Sequence, residues 1–184
     1  MLRSMPKDKN SLIEIYIKEL SQGNKEAMGK LYELIKTDVY AYAFSKLANK
    51  QDAEDITHDT FVQIYKNARL YSSQGKPLAW IFTIELNLIR RLYNSNKHSV
   101  SLNEAIEVKS TEIDFSSNIV EGQFLNQMLK LLNEEERSIL TLHVVSGLKH
   151  REIATILNKP LSTILSKYNR AIKKLQSYAK EVEE

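Results

Sequence analysis

The segment from Gly147 to Leu175 constrains the fold of this chain more than any other stretch. Its first part has apolar side chains at helix-like spacing and is interrupted at Asn158–Pro160. There the proline lacks a backbone donor and disfavours helical backbone in the residue before it. Ser162 then offers a cap for a second helix. Two short helices joined by a tight turn predict a helix-turn-helix.

The second helix of this segment has two different faces. Apolar residues recur at three- and four-residue steps and predict a buried face made of Ile164, Tyr168, Ala171, Ile172, Leu175 and Ala179. The opposite face carries Ser166, Arg170, Lys173 and Ser177, flanked by Lys167 and Lys174. Because a basic outer face on the second helix is typical of helices that enter a DNA groove, the segment is a candidate DNA-binding module.

The composition favours a mainly helical chain. Only five glycines and three prolines occur among 184 residues, whereas helix formers such as Leu, Lys and Glu are abundant. The chain has no cysteine, which excludes disulfides and cysteine-ligated zinc and fits a reducing compartment. No signal peptide is recognisable, and no apolar run reaches the roughly 20 residues of a membrane span. We therefore expect an all-α, cytoplasmic protein without membrane insertion.

Apolar periodicity predicts four helices in the first half of the chain. They are expected at Ser11–Leu20, from Asn24 to about Ala48, from a cap at Asp52 onward, and from Pro77 to about Asn96. Residues 1–10 and the last four residues are polar and are predicted to be frayed or disordered. The buried face of the third helix should consist of Ala53, Ile56, Phe61, Ile64 and Ala68.

Two of these helices carry charged features. Asp55 and Asp59 lie one turn apart on the third helix with His58 beside them, and form a compact acidic patch. Asp52 is explained more simply by its favourable interaction with the helix dipole. The second half of the fourth helix is basic, and its first half holds Trp80, the single tryptophan. Two interpretations of this indole remain open: it is either a core side chain or a ring that lies near unstacked nucleic-acid bases.

Residues 94–118 lose periodicity and are rich in Ser, Asn and Glu, so they predict a linker between two small helical domains. An acidic segment, residues 99–124, lies here between two basic blocks. Helical periodicity returns at Ile119, a capping signal follows at Asn133 with Glu136, and Gly147 ends that helix.

The sequence contains no recognisable catalytic or metal-binding constellation. The histidines at positions 58, 98, 143 and 150 lack metal-ligand spacing and have no cysteine partners. Phosphate-binding glycine loops and nucleophile motifs are not found. We therefore expect no enzyme activity, no cofactor and no metal.

Three motifs, in this order, resemble bacterial RNA polymerase sigma factors of the small, two-domain extracytoplasmic-function (ECF) type. They are DAEDITHDTFVQIYK (52–66), KPLAWIFTIELNLIRRLYNSNK (76–97), and LLNEEERSIL with the helix-turn-helix (131–175). The second includes Trp80 and Asn87 of the family's −10-reading helix. The resemblance implies that residues 1–97 bind core polymerase and melt the −10 element. Residues 98–118 would form the linker, and residues 119–184 would read the −35 element.

The resemblance also assigns roles to individual residues of the first domain. Asp55, His58 and Asp59 would face the polymerase, with His58 replacing a usual Gln and Asp59 a usual Glu. The loop Ser72–Lys76 would shape a pocket for a flipped base. Backbone phosphates would be met by Arg90, Arg91 and Lys97, although many family members have Asp at the position of Arg91.

In the second domain, the resemblance places the −35 element against Ser162, Thr163, Ser166, Lys167 and Arg170. Lys173 and Lys174 extend the basic surface and are also expected to contact DNA. Leu165 stands where the family usually has Lys, so one DNA contact is expected to be missing. An anti-sigma factor that masks the polymerase-binding surfaces is a further partner common in the family.

The resulting hypothesis is a sigma factor that directs promoter-specific initiation together with core polymerase. The main alternative is a stand-alone helix-turn-helix regulator, which would bind a palindromic duplex as a dimer. An RNA-binding helical protein also fits the charge, but explains neither the turn nor the order of the two modules.

Overall fold

The computed structural model describes the backbone of residues 8–100 and 130–183, and the side chains of residues 8–95 and 130–180. Within these ranges the chain forms helices and no β-strand, which confirms the all-α prediction. The helices are α1 (Lys9–Ser21), α2 (Glu26–Leu47), α3 (Lys50–Asn67), a 3₁₀ turn (Ala68–Leu70), α4 (Pro77–Val100), α5 (Glu134–Val144), α6 (His150–Leu157) and α7 (Leu161–Glu183). None of the described helices has the length and apolar character that a membrane span requires.

Helices α1 to α4 pack around an apolar core that holds the outer faces of α3 and α4 in fixed positions. The predicted buried face of the third helix is confirmed, since each of its five residues is at most 6% exposed. Tyr42 of α2 meets Phe82 of α4 edge to face, with ring centroids 5.4 Å apart. Burial of each large side chain of this kind stabilises the fold by about 1.5–3 kcal/mol.

Two helices of this half begin earlier than the sequence predicted. Asn49 caps α3, because its side chain accepts a hydrogen bond from the Asp52 amide at 3.1 Å. The expected cap at Asp52 is therefore wrong. Helix α1 already starts at Lys9, whose ammonium donates to the buried carboxylate of Asp38 at 2.7 Å. This pair is distant in sequence, so local propensity gave no sign that residues 8–10 belong to an ordered helix.

The C-terminal half contains the predicted helix-turn-helix, α6 and α7. Asn133 and Glu136 form a reciprocal capping box at the start of α5. Helix α5 ends at Val144, and Gly147, three residues later, adopts the left-handed conformation (φ +68°) in the connection to α6. Asn158 is also left-handed (φ +52°) and turns the chain between α6 and α7. Among non-glycine residues, Asn tolerates this conformation better than most.

Helix α7 differs from the prediction at both ends. It begins at Leu161, so Ser162 lies within the first turn and is not the cap. It continues to Glu183, although the last four residues were predicted to be disordered. Ala179, expected on the buried face, is exposed. The apolar residues nearer the start, Ile164 and Ala171, are fully buried as predicted.

The two halves contact each other at the C-terminal end of α2. The Nε of Arg137 in α5 donates to the Ser45 carbonyl at 3.1 Å, and Lys46 pairs with Glu134 at 2.5 Å. Carbonyls in the last turn of a helix lack intrahelical donors, so a cation is favourable there. Buried apolar residues of both halves form one continuous cluster. The predicted linker, residues 98–118, lies outside the described residues except for the helical residues 98–100.

Candidate functional site

The predicted acidic patch lies on the outer face of α3. Asp55, His58 and Asp59 are all exposed, as the sequence predicted. His58 Nδ1 is 3.8 Å from Asp59 Oδ1, and Asp55 accepts a hydrogen bond from the Gln51 side chain at 3.3 Å. The burial of the opposite face of α3 fixes this orientation, so the three side chains are available to a partner.

Two exposed tyrosines extend this face and were missed by the sequence reasoning. Tyr65 is 46% exposed and follows His58 by seven residues, which places both on one side of α3. Tyr32 of α2 is 42% exposed and packs against Phe61, with ring centroids 4.8 Å apart. The seven-residue step to Tyr65 was visible in the sequence. The position of Tyr32 depends on how α2 and α3 pack.

A cavity of about 390 Å³ lies between the end of α3, the 3₁₀ turn and α4. Its lining is Gln63, Asn67, Leu70, Trp80, Thr83, Ile84, Asn87, Leu88 and Arg91. The structure thus brings together Trp80, Asn87 and Arg91, three residues singled out from the sequence. Trp80 is half-buried and packs against Tyr71 at 4.8 Å between ring centroids, so it serves the core and also borders the cavity.

The other residues predicted for this region are not among the lining residues of the cavity. Arg90 is exposed on α4 and does not line it, and neither do the residues of the loop Ser72–Lys76. Lys97 belongs to α4, but its side chain is outside the described ones. The wall of the cavity therefore combines an indole, an amide and a guanidinium.

One face of α7 is open and carries most of the predicted DNA-facing residues. Ser162, Ser166, Arg170 and Lys173 are exposed, and Thr163 is half-buried. Leu165 is 40% exposed, so an apolar side chain also stands on this surface. The spacing of Ser162, Ser166 and Arg170 at four-residue steps aligns them along the helix.

Lys167 and Lys174 instead turn toward α5. Lys167 forms an ion pair with Glu135, and Lys174 pairs with Glu136 at 2.6 Å. Burial on its own favours the neutral Glu136, yet the Lys174 ammonium and the Asn133 amide hold the pKa of this carboxyl below its usual range. Both lysines therefore have intramolecular anionic partners, an arrangement that the sequence reasoning did not foresee.

Comparison with known families connects the two halves. Residues 31–99 match the family model for Sigma-70 region 2, and residues 125–175 match that for Sigma-70, region 4. The matches together cover more than half of the chain. The chain belongs to the sigma-70 family. The stand-alone regulator hypothesis accounts for the second match only, whereas a sigma factor accounts for both and for their order.

Relatives of this sigma factor include the ECF RNA polymerase sigma factor BldN of Streptomyces coelicolor, 26% identical over 86% of this chain and 62% of that protein. SigW of Bacillus subtilis, also an ECF RNA polymerase sigma factor, is 23% identical over 93% of this chain and 98% of that protein. The ECF assignment made from the sequence is therefore confirmed. As a sigma factor, the protein is a transcription initiation factor whose partners are core RNA polymerase and promoter DNA.

A solved structure supports the fold. The sigma factor RpoE of Bartonella quintana, in complex with the anti-sigma factor NepR, matches with a TM-score of 0.68 and 23% identity. The match covers 83% of this chain and 96% of that one. The similarity extends over both halves of this sigma factor.

Two histidines support the helix-turn-helix of this sigma factor from within. His143 of α5 stacks on His150 of α6 at 4.2 Å between ring centroids, and Tyr168 of α7 meets both rings edge on. His143 Nδ1 lies 2.8 Å from the Leu148 carbonyl. Burial, and to a smaller extent His143, lower the pKa of His150. In the part of the chain that the structure describes, no group of three or more His, Cys, Asp or Glu side chains is arranged to bind a metal.

Proposed function

We propose that this sigma factor docks on core RNA polymerase through the outer face of α3 and reads promoter DNA with two separate surfaces, on α4 and α7. In this proposal residues 1–97 form the polymerase-binding and −10-reading domain. Residues 98–118 form the linker, and residues 119–184 form the −35-reading domain. The observation that carries the proposal is the cavity on α4, because Trp80, Asn87 and Arg91 meet there.

The docking face combines charge with aromatic area. Asp55, His58 and Asp59 supply polar and acidic groups, which favour specific orientation and rapid association with a basic partner. Tyr32 and Tyr65 add exposed rings beside them, and aromatic residues are enriched where protein interfaces bury most area. We therefore assign the tyrosines to the same polymerase-binding surface.

The α4 cavity suits an unstacked base of the melted −10 element. Trp80 offers a ring for stacking, an interaction of about 1–3 kcal/mol per base. Asn87 can hydrogen-bond a base edge, and Arg91 provides a cation at the rim. Arg90 and Lys97 would hold the backbone phosphates on either side. The neighbouring loop Ser72–Lys76 would complete the pocket for the flipped base.

The exposed face of α7 would enter the major groove at the −35 element. Arg170 and Lys173 are exposed cations for phosphates or bases, and Ser162, Thr163 and Ser166 supply hydroxyl groups. Because residue 165 is an exposed leucine, this surface lacks the phosphate contact that a lysine at this position would make. The −35 surface therefore depends on the first domain for useful affinity, since linkage raises the effective concentration of the second contact.

The same surfaces are also the expected target of a regulatory protein. RpoE of Bartonella quintana was crystallised with the anti-sigma factor NepR, and we assign a partner of this class to the present chain as well. Such a protein would cover the α3 face or the DNA-reading helices. The sigma factor itself would act in the cytoplasm, without catalysis of its own.

Reconstitution with core RNA polymerase tests the proposal directly. The purified chain should form a stable complex with core enzyme and direct transcripts from one −35/−10 promoter class, mapped by their 5′ ends. Without core enzyme it should not open a promoter. Stable binding without initiation, or no binding at all, would contradict the proposed function.

A further inference from the structure

Three consecutive glutamates open α5, and each pairs with at least one lysine from another part of the chain. Glu134 pairs with Lys46 of α2, and Glu136 pairs with Lys174 of α7. Glu135, between them, receives two lysines at once. The first turn of a helix favours acidic side chains through the helix dipole, but that effect does not explain why cations converge on Glu135.

The two lysines of Glu135 belong to the helix-turn-helix. Lys159 lies in the turn before α7 and donates to Oε1 of Glu135, while Lys167 lies in α7 and pairs with Oε2. The Lys167 side chain is only 23% exposed, compared with 36% for Lys159. Hydrogen bonds from both ammonium groups lower the pKa of Glu135 to about 2, so this carboxylate is charged at any physiological pH.

We propose that Glu135 is a specificity-determining residue that occupies Lys159 and Lys167 in place of DNA phosphates, so that nonspecific DNA cannot use them without displacing it. This inference rests on the proposed role of α7 in DNA binding. Glu135 does not touch DNA and acts only through the two lysines.

The physical argument is competition between anions for the same cations. A lysine ammonium is a compact point charge that either a carboxylate or a phosphate can satisfy. With Glu135 in place, Glu135, Lys159 and Lys167 together carry a net charge of +1. Without the carboxylate, the two lysines would present a charge of +2 to DNA. The open face of α7 then depends on exposed cations such as Arg170 and Lys173. Weaker attraction for arbitrary DNA leaves a larger share of binding to groups that contact bases.

The salt dependence of DNA binding measures this competition. The full chain and its Glu135→Gln variant would be titrated into a short mixed-sequence duplex, with fluorescence anisotropy as the readout. Each additional phosphate contact steepens the slope of log K against log salt by about 0.9, so two freed lysines steepen it by up to about 1.8. The affinity gain of Glu135→Gln should then be larger at 50 mM than at 200 mM salt, by up to about tenfold.

Two controls separate this effect from a general change of net charge. Glu54→Gln removes one negative charge from an exposed position on α3 and should change the slope far less. In a Lys159→Ala/Lys167→Ala background, Glu135→Gln should have no further effect on the slope. This cycle isolates the interaction of Glu135 with the two lysines, because a merely structural role would persist without them.

Three outcomes would overturn the proposal: Glu135→Gln steepens the slope no more than Glu54→Gln, it weakens binding, or its effect survives in the double-alanine background. The variant Arg170→Ala distinguishes the proposed function from this inference. If Arg170→Ala does not change duplex binding while Glu135→Gln steepens the slope, the DNA contact proposed for Arg170 is wrong and the role of Glu135 stands. The reverse pattern rejects Glu135 alone, and a chain that binds no duplex even at low salt rejects both.

Discussion

Lys46 and Glu134 form one of the contacts between two halves of the chain, which in the proposed function must separate to read a promoter. Elements centred near −35 and −10 lie about 25 base pairs apart, or about 85 Å along B-form DNA at 3.4 Å per pair. A compact chain of this length has a radius of gyration of about 16 Å. One compact body therefore cannot place the two proposed reading helices, α4 and α7, on both elements. We predict that Glu134→Lys shifts the chain toward an open form.

The magnitude follows from the geometry of the pair. The two charges approach to 2.5 Å, with the Lys46 side chain 12% exposed and the Glu134 side chain 45% exposed. The exposure of Glu134 screens the interaction, so the attraction contributes about 1 kcal/mol, the upper end for surface pairs. Reversal replaces attraction with a similar repulsion, about 2 kcal/mol in total. The ratio of open to closed molecules should rise about 30-fold.

Energy transfer between two dyes measures this equilibrium. Because the chain has no cysteine, Ser73→Cys in the exposed loop before α4 and Ser177→Cys on α7 provide unique labelling sites. Glu134→Lys should reduce the transfer efficiency, and the exchanged pair Lys46→Glu/Glu134→Lys should restore it. Wild-type efficiency in the single variant, or an exchanged pair as open as the single variant, would show that this ion pair does not hold the halves together.

Three further predictions concern the surfaces and the core. Asp59→Lys should weaken binding to core polymerase at unchanged helix content. The matched charge reversal Glu26→Lys, at the exposed start of α2, should not; equal effects in a pull-down would refute the docking face. Arg170→Ala should lower the log–log salt slope of duplex binding by about 0.9 if Arg170 meets a phosphate, and a changed sequence preference at constant slope would instead indicate a base contact. Burial, with a smaller contribution from Asp38, raises the pKa of Glu85 well above its usual range. The stability that Glu85 contributes is therefore complete below its unfolded pKa, near 4.5, and is lost as the pH rises toward the folded value. Glu85→Gln should flatten this loss in urea titrations between pH 5 and 8, and an equally steep loss in the variant would show that Glu85 is not its source.

The helix-turn-helix and the capping box could be predicted because their signals are local. Asn133 and Glu136 lie three residues apart, so their reciprocal hydrogen bonds form wherever the helix starts there. The cap of α3 was predicted wrongly because two polar residues, Asn49 and Asp52, compete within one turn. Local propensity hardly distinguishes them, and the structure selects Asn49.

The sequence by itself determined where most of the described helices lie, most of their apolar faces, and that the ordered motifs belong to a sigma factor. These properties depend on periodicity and on neighbours a few residues away. Only the tertiary structure decided that Lys9 pairs with Asp38, that Tyr32 lies beside Phe61, and that Lys167 is held by Glu135. The physical reason is distance along the chain: a charge on a helix surface has no partner until packing selects the helix that faces it.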